Sequence, residues 1–146
     1  MNKQKIVLNI LRYVMSFIFL WAFFDKVFGL GFATSHDKAW VYGASPTAGF
    51  LANATKGPFV QVFHSLAGIA IVDWLFMLGL LFVGLTLALN KYVKWGALTG
   101  CAMLALMYLS LMLPANNPII DEHIVYILVL MLLAFQYEKE KSFITN

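Results

Sequence analysis

Apolar residues in this chain fall into long blocks separated by short polar breaks. The first block, Ile6 to Leu30, is interrupted by Arg12, Asp25 and Lys26. The second, Ala70 to Leu89, holds Asp73, and the third, Val93 to Leu113, has no charge after Lys94. The last, Pro118 to Tyr137, opens with Asp121, Glu122 and His123 and is then uncharged. About 20 helical residues cross roughly 30 Å of hydrocarbon. The pattern therefore predicts an all-α integral membrane protein, a single domain built as a four-transmembrane-helix bundle, with spans at about 9–30, 70–89, 93–113 and 118–137. The first block is too long and too interrupted for a cleavable signal peptide. Arg12 is expected to snorkel its guanidinium to the headgroups while its stem stays in lipid.

The one long connection, Gly31 to Gly68, should carry structure of its own at its length of about 38 residues. Ser45-Pro46 reads as an N-cap with proline in the first turn of a short helix through about Ala52. Gly57-Pro58 restarts the chain into a second apolar helical run containing His64, and a break near Gly68 precedes the second span. With Trp40, Tyr42, Phe50, Phe59 and Phe63, this connection is too aromatic for a solvated disordered loop and is expected to fold over one mouth of the bundle. Asn90-Lys91 is a tight turn, and Pro114 and Asn117-Pro118 punctuate the end of the third span and the start of the fourth.

Composition agrees: 62% of the 146 residues are hydrophobic and 12% charged, far from a soluble average. Seven of the ten basic residues, Lys3, Lys5, Arg12, Lys91, Lys94, Lys139 and Lys141, fall on one side of the predicted spans. Lys26, Lys38 and Lys56 fall on the other. The positive-inside rule then places both termini and the Asn90-Lys91 turn in the cytoplasm, with the long connection on the outer side of the membrane. The net charge of +3 is explained by this topology and calls for no nucleic acid. The lone Cys101 excludes an internal disulfide and a Cys-x-x-Cys redox pair.

Counting about 20 residues outward along each span brings Asp25 and Lys26, Asp73, and Asp121, Glu122 and His123 to similar depths below the outer surface. Ionisable groups in a bilayer are costly, pair with one another or face water, and mark functional sites by default. With His64 above them and Trp40 and Trp74 among the aromatics, they form the candidate constellation. A plain structural reading stands beside it: first-turn acids complement a helix dipole, and aromatics gather at membrane interfaces. No His-Glu-x-x-His or haem-attachment motif is present, and neither metal nor haem is predicted. What such a layer suits is the head group of an isoprenoid quinone, which needs hydrogen-bond donors, aromatic walls and a proton-exchanging carboxylate or imidazole. Asp73 and Asp121 are the candidates for proton exchange, and His123 and His64 for hydrogen bonding or relay. Asp25, Lys26, Glu122, Asn117, Trp40 and Trp74 are the candidate substrate-binding residues.

The segments Trp21 to Thr34, Ser45 to Leu51, Gly57-Pro58-Phe59, Val72 to Leu80, and Asn116-Asn117-Pro118 with Asp121 and His123 resemble the DoxX/DoxD family of small four-span bacterial and archaeal membrane proteins. The resemblance implies a subunit of a thiosulfate:quinone oxidoreductase, working with a second small redox subunit and reducing the membrane quinone. Other relatives imply a different role, as a non-enzymatic membrane scaffold or small-molecule carrier tied to oxidative-stress or thiol defence. The lipid bilayer is the one partner common to both, and self-association into a homo-oligomer is compatible with either.

Overall fold

A computed structural model describes residues 3–112 and 119–145, with side-chain surroundings through Lys139. Every regular element among the described residues is helical. Four long helices, α1 (Lys3–Phe28), α4 (Ala70–Leu89), α5 (Val93–Ser110) and α6 (Glu122–Thr145), are joined by a connection holding two short ones, α2 (Ala48–Asn53) and α3 (Val60–Ser65). Single 3-10 turns at His36–Lys38 and Trp40–Tyr42 complete the connection.

Helix α1 packs along α4 and α5 along α6, while α4–α5 and α1–α6 contacts join the two pairs around one core. Met15 and Phe19 of α1, Met77, Val83 and Leu87 of α4, Val93 and Leu104 of α5, and Leu130 and Leu133 of α6 fill it. The opposite faces are apolar too, with Phe17, Leu75, Trp95, Leu128 and Phe135 all exposed. A bundle oily both inside and outside is built for lipid, where the outer faces cost nothing. Helices α1, α4 and α5 are long and apolar enough to cross a membrane, and the chain is a membrane protein. The fully apolar part of α6 is shorter, since Glu122 and Glu138 bracket its middle.

Without a hydrophobic force between helices in lipid, close approach and polar ties hold the seams. At the α1–α4 seam a Cβ on Gly84 would lie 2.5 Å from Leu20 Cγ and 3.2 Å from the Leu20 backbone nitrogen, so only glycine lets the two helices meet there. Beside it the Ser16 hydroxyl donates to the Gly84 carbonyl at 2.8 Å. One turn further, Arg12 departs from expectation. It does not snorkel: it is 8% exposed, and its Nη1 donates to the carbonyls of Leu87 and, at 3.1 Å, Ala88. The carbonyls at the end of α4 lack full helical partners, Leu87 O taking only the long Asn90 amide bond at 3.4 Å, and carry partial negative charge, so a nearby guanidinium serves them better than distant headgroups do.

The connection matches the sequence reading in outline, with one correction: Ser45-Pro46 does not form the N-cap and first turn, because Ser45 and Thr47 are held by Asp73 and α2 begins at Ala48 with Thr47 at its N-cap. A second short helix follows Gly57-Pro58 and ends at Ser65, and Gly68, at φ +79°, turns the chain into α4. Its far end reaches α5, where the Lys56 amide donates to the Ser110 carbonyl at 2.8 Å. The fourth helix differs from its predicted span. Ile119 to Asp121 are not helical and α6 starts at Glu122, while Asn117 and Pro118 lie outside the described residues.

Candidate functional site

Asp25 sits in the last turn of α1, 1% exposed. Its helix ends at Gly29, whose positive φ of 63° and 2.7 Å clearance to His36 Cα and Ser35 O, measured from a hypothetical Cβ, leave no room for a side chain. The chain turns back over the helix end there, and the Asp25 carboxylate accepts the backbone N–H groups of Phe32 at 3.3 Å and Ala33 at 2.9 Å. A buried carboxylate is tolerated when hydrogen bonds replace its hydration. Asp25 thus fixes the first turn of the connection.

Asp73 does the same from α4. It is 6% exposed, and its Oδ1 accepts three hydrogen bonds: from the Ser45 hydroxyl at 2.8 Å, the Thr47 hydroxyl at 2.6 Å and the Thr47 amide at 3.2 Å. Ser45 Oγ in turn accepts the Ala48 amide at 3.0 Å, which orients the start of α2. Between those two residues lies Pro46, whose carbonyl accepts the Lys26 ammonium of α1 at 3.1 Å. One tripeptide, Ser45-Pro46-Thr47, is therefore gripped by an acid from α4 and a base from α1. The Lys26 ammonium also lies 5.8 Å from the centre of the Phe76 ring. Trp40 and Trp74 pack edge to face with centroids 4.7 Å apart, joining the connection to α4 a second time.

The third group stands at the start of α6. Asp121 caps the helix by accepting the His123 amide at 3.0 Å on Oδ1, while Oδ2 lies 2.8 Å from His123 Nδ1. Both side chains of this pair are more than nine-tenths buried, whereas Glu122 between them is exposed. With a proton on Nδ1 donated to the carboxylate, Nε2 is the ring's remaining nitrogen for exchange with a partner. Ligand atoms of Asp121, Glu122 and His123 lie within 4.8 Å of one another, as the cap brings them together.

The predicted constellation is thus brought together in part. Asp25, Lys26, Asp73, Trp40 and Trp74 converge around the connection; among the described residues no hydrogen bond or ion pair links them to the Asp121–His123 pair. His64 lies exposed on α3. Sequence reasoning missed Thr47, which makes the shortest of the bonds to Asp73, and Pro46 as an acceptor. A hydroxyl on each side of a proline whose carbonyl is free to accept was the available signal. On the outermost turn, the Ser35 hydroxyl and then the backbone of Asp37 hydrogen-bond the Asp37 carboxylate and hold it below the usual range, with Lys38 and His36 adding minor attraction. No protein-family model, curated protein or solved structure matches this chain.

Proposed function

We propose that this chain is a four-span protein of a prokaryotic cytoplasmic membrane, with both termini in the cytoplasm, that serves as the quinone-interacting subunit of a membrane redox complex. The observation carrying the reading is the buried Asp121–His123 pair at the head of a helix that is uncharged from Ile124 to Tyr137. Reduction of a quinone takes up two electrons and two protons, and a membrane site must pass those protons without exposing a bare charge. His123 can accept a proton at Nε2 and become an imidazolium that the Asp121 carboxylate stabilises, or return it in the reverse direction. Trp40 and Trp74 offer aromatic surface nearer the connection. The resemblance to DoxX/DoxD proteins supplies the donor: two thiosulfate ions give up two electrons and join through a new S–S bond as tetrathionate, in a complex with a second small subunit.

A second reading has its own observation. Asp25, Lys26 and Asp73 each bind the connection, as a scaffold or small-molecule carrier would require. The variant Asp121→Asn separates the two, because asparagine caps a helix as well as aspartate does but carries no charge. In membranes containing the whole complex, thiosulfate-dependent quinone reduction should fall at least about a hundredfold in this variant, the low end of what general acid–base groups contribute, with thermal stability unchanged. Organic extraction of the purified protein should yield bound isoprenoid quinone. Absence of quinone together with unchanged turnover would leave the scaffold reading standing.

A further inference from the structure

Helix α3 lies outside the core that the four long helices share. None of its six residues is buried, and within the protein it packs chiefly against its short neighbour α2. Sorted by helical position, the segment separates into two faces. Phe59, Val60, Val62, Phe63 and Leu66 fall in one apolar arc, and Gln61, His64 and Ser65 fill the opposite side. Protein covers that arc only in part, with Phe59 43% and Val62 59% exposed. From Gly57 to Val72 the chain holds no Lys, Arg, Asp or Glu.

What adjoins this arc along the chain is the exposed surface of a helix long and apolar enough to cross a membrane. Ile71, Trp74, Leu75 and Leu78 recur at helical spacing and form an exposed face of α4, and exposed Ile69 joins that face to α3. Gly68, with its positive φ, interrupts the helix between them, so α3 need not continue along the α4 axis. Trp74 stands in the first turns of α4, where aromatic rings mark the level of a membrane interface. Water around α3 would hydrate an uncharged apolar arc, whereas the lipid that surrounds α4 takes the same residues out of water.

We propose that α3 is an interfacial helix, seated at the bilayer boundary on the side of the connection. Phe59, Val62 and the rest of the apolar arc lie among the lipid acyl chains, and Gln61, His64 and Ser65 turn toward headgroups and water. Amphipathic segments bind a membrane surface in this way through the apolar area they bury. With no acidic or basic residue in the segment, neutral lipid is enough to seat it. The bilayer is thereby a partner of the connection as well as of the spans, and it covers the one helix that the core does not. The inference rests on the membrane embedding of α4 and not on the redox reading.

The test uses the full-length protein with Cys101→Ala, reconstituted into phosphatidylcholine vesicles and carrying a single nitroxide spin label introduced through Gln61→Cys, Val62→Cys or His64→Cys. All three side chains are exposed on the protein, so the label displaces no packing. Electron paramagnetic resonance compares collision of the label with oxygen, which concentrates in lipid, and with a water-soluble nickel chelate. At 62 oxygen should dominate, at a depth of about 5–10 Å into the headgroup and acyl boundary. At 61 and 64 the nickel chelate should dominate. Phe59→Cys repeats the reading at a second point of the arc and decides the matter if the Val62→Cys protein cannot be reconstituted. Nickel collision at 62 equal to that at 61 would put the arc in water. Shielding of 62 from both reagents would put it against protein, a second copy or another subunit, and either result overturns the proposal.

Discussion

Replacing Asp73 by alanine removes the single oxygen on which Ser45 and Thr47 converge, and the consequence can be worked out from the geometry. Three donors lose their acceptor, two of them on Thr47, which is itself 6% exposed. Hydrogen bonds to a charged group are worth about 1.5–3 kcal/mol each, and a buried donor left unmatched costs about 1–3 kcal/mol. The terms overlap, and removing a buried carboxylate refunds part of its own desolvation. A net loss of roughly 2–4 kcal/mol follows, confined to the connection because the core below Asp73 is untouched. At 1.4 kcal/mol per factor of ten, local opening of residues 45–55 should become about 30- to 700-fold more frequent. Hydrogen exchange by mass spectrometry on detergent-solubilised protein reads this directly, with peptides from α5 as the internal reference. Asp73→Asn retains an acceptor oxygen and should raise exchange by no more than about tenfold. If Asp73→Ala left the 45–55 peptides within about threefold of wild type, the bonds to Asp73 would not be what holds the connection down.

Two further outcomes follow from the same kind of reasoning. Gly84→Val places atoms into Leu20, backbone nitrogen included, and should destabilise the bundle by about 1–3 kcal/mol or more, seen as a lower thermal midpoint in detergent, with Gly84→Ala intermediate. Because Ser35 and the local backbone hold the Asp37 carboxyl below its ordinary value, the native chain binds fewer protons than the unfolded one in the acid range; that contribution is present above the unfolded pKa and is lost as pH falls through the folded one. Ser35→Ala should move the Asp37 titration, followed by carbonyl NMR, back upward toward about 3.9.

Much of this architecture could be read from the residues because the signals were local. Apolar block length located α4 to the residue, and Gly57-Pro58 and Gly68 bracketed the connection's second helix, Val60–Ser65. Submerged charges announced themselves as needing partners, and Asp25, Asp73 and Asp121 all have them. Which partners was another matter. Depth along a span says nothing about azimuth, so residues at one level looked like one cluster, whereas Asp121 and His123 satisfy each other within a helix cap. Arg12 was misjudged for a related reason: its acceptors belong to α4, 75 and 76 positions away, and carbonyls at a helix end leave no mark on a sequence. The start of α6 shifted because Asp121 caps it, in a stretch where several residues had the right chemistry to do so.

The α1–α4 seam also sets a timetable for synthesis. Ser16 must wait for Gly84, 68 positions later, and Arg12 for Leu87, whereas α5 follows α4 after a turn of three residues, Asn90 to Tyr92. At 5–20 residues per second, α1 spends on the order of 4–15 s in the membrane before its partner exists. Through that interval the Arg12 guanidinium has no α4 carbonyls to meet, whereas Asp25 can already take the Phe32 and Ala33 amides and Lys26 the Pro46 carbonyl. The insertion machinery or early lipids must shelter that one charge, and quality control has its clearest target in the first helix, before most of the bundle has been made.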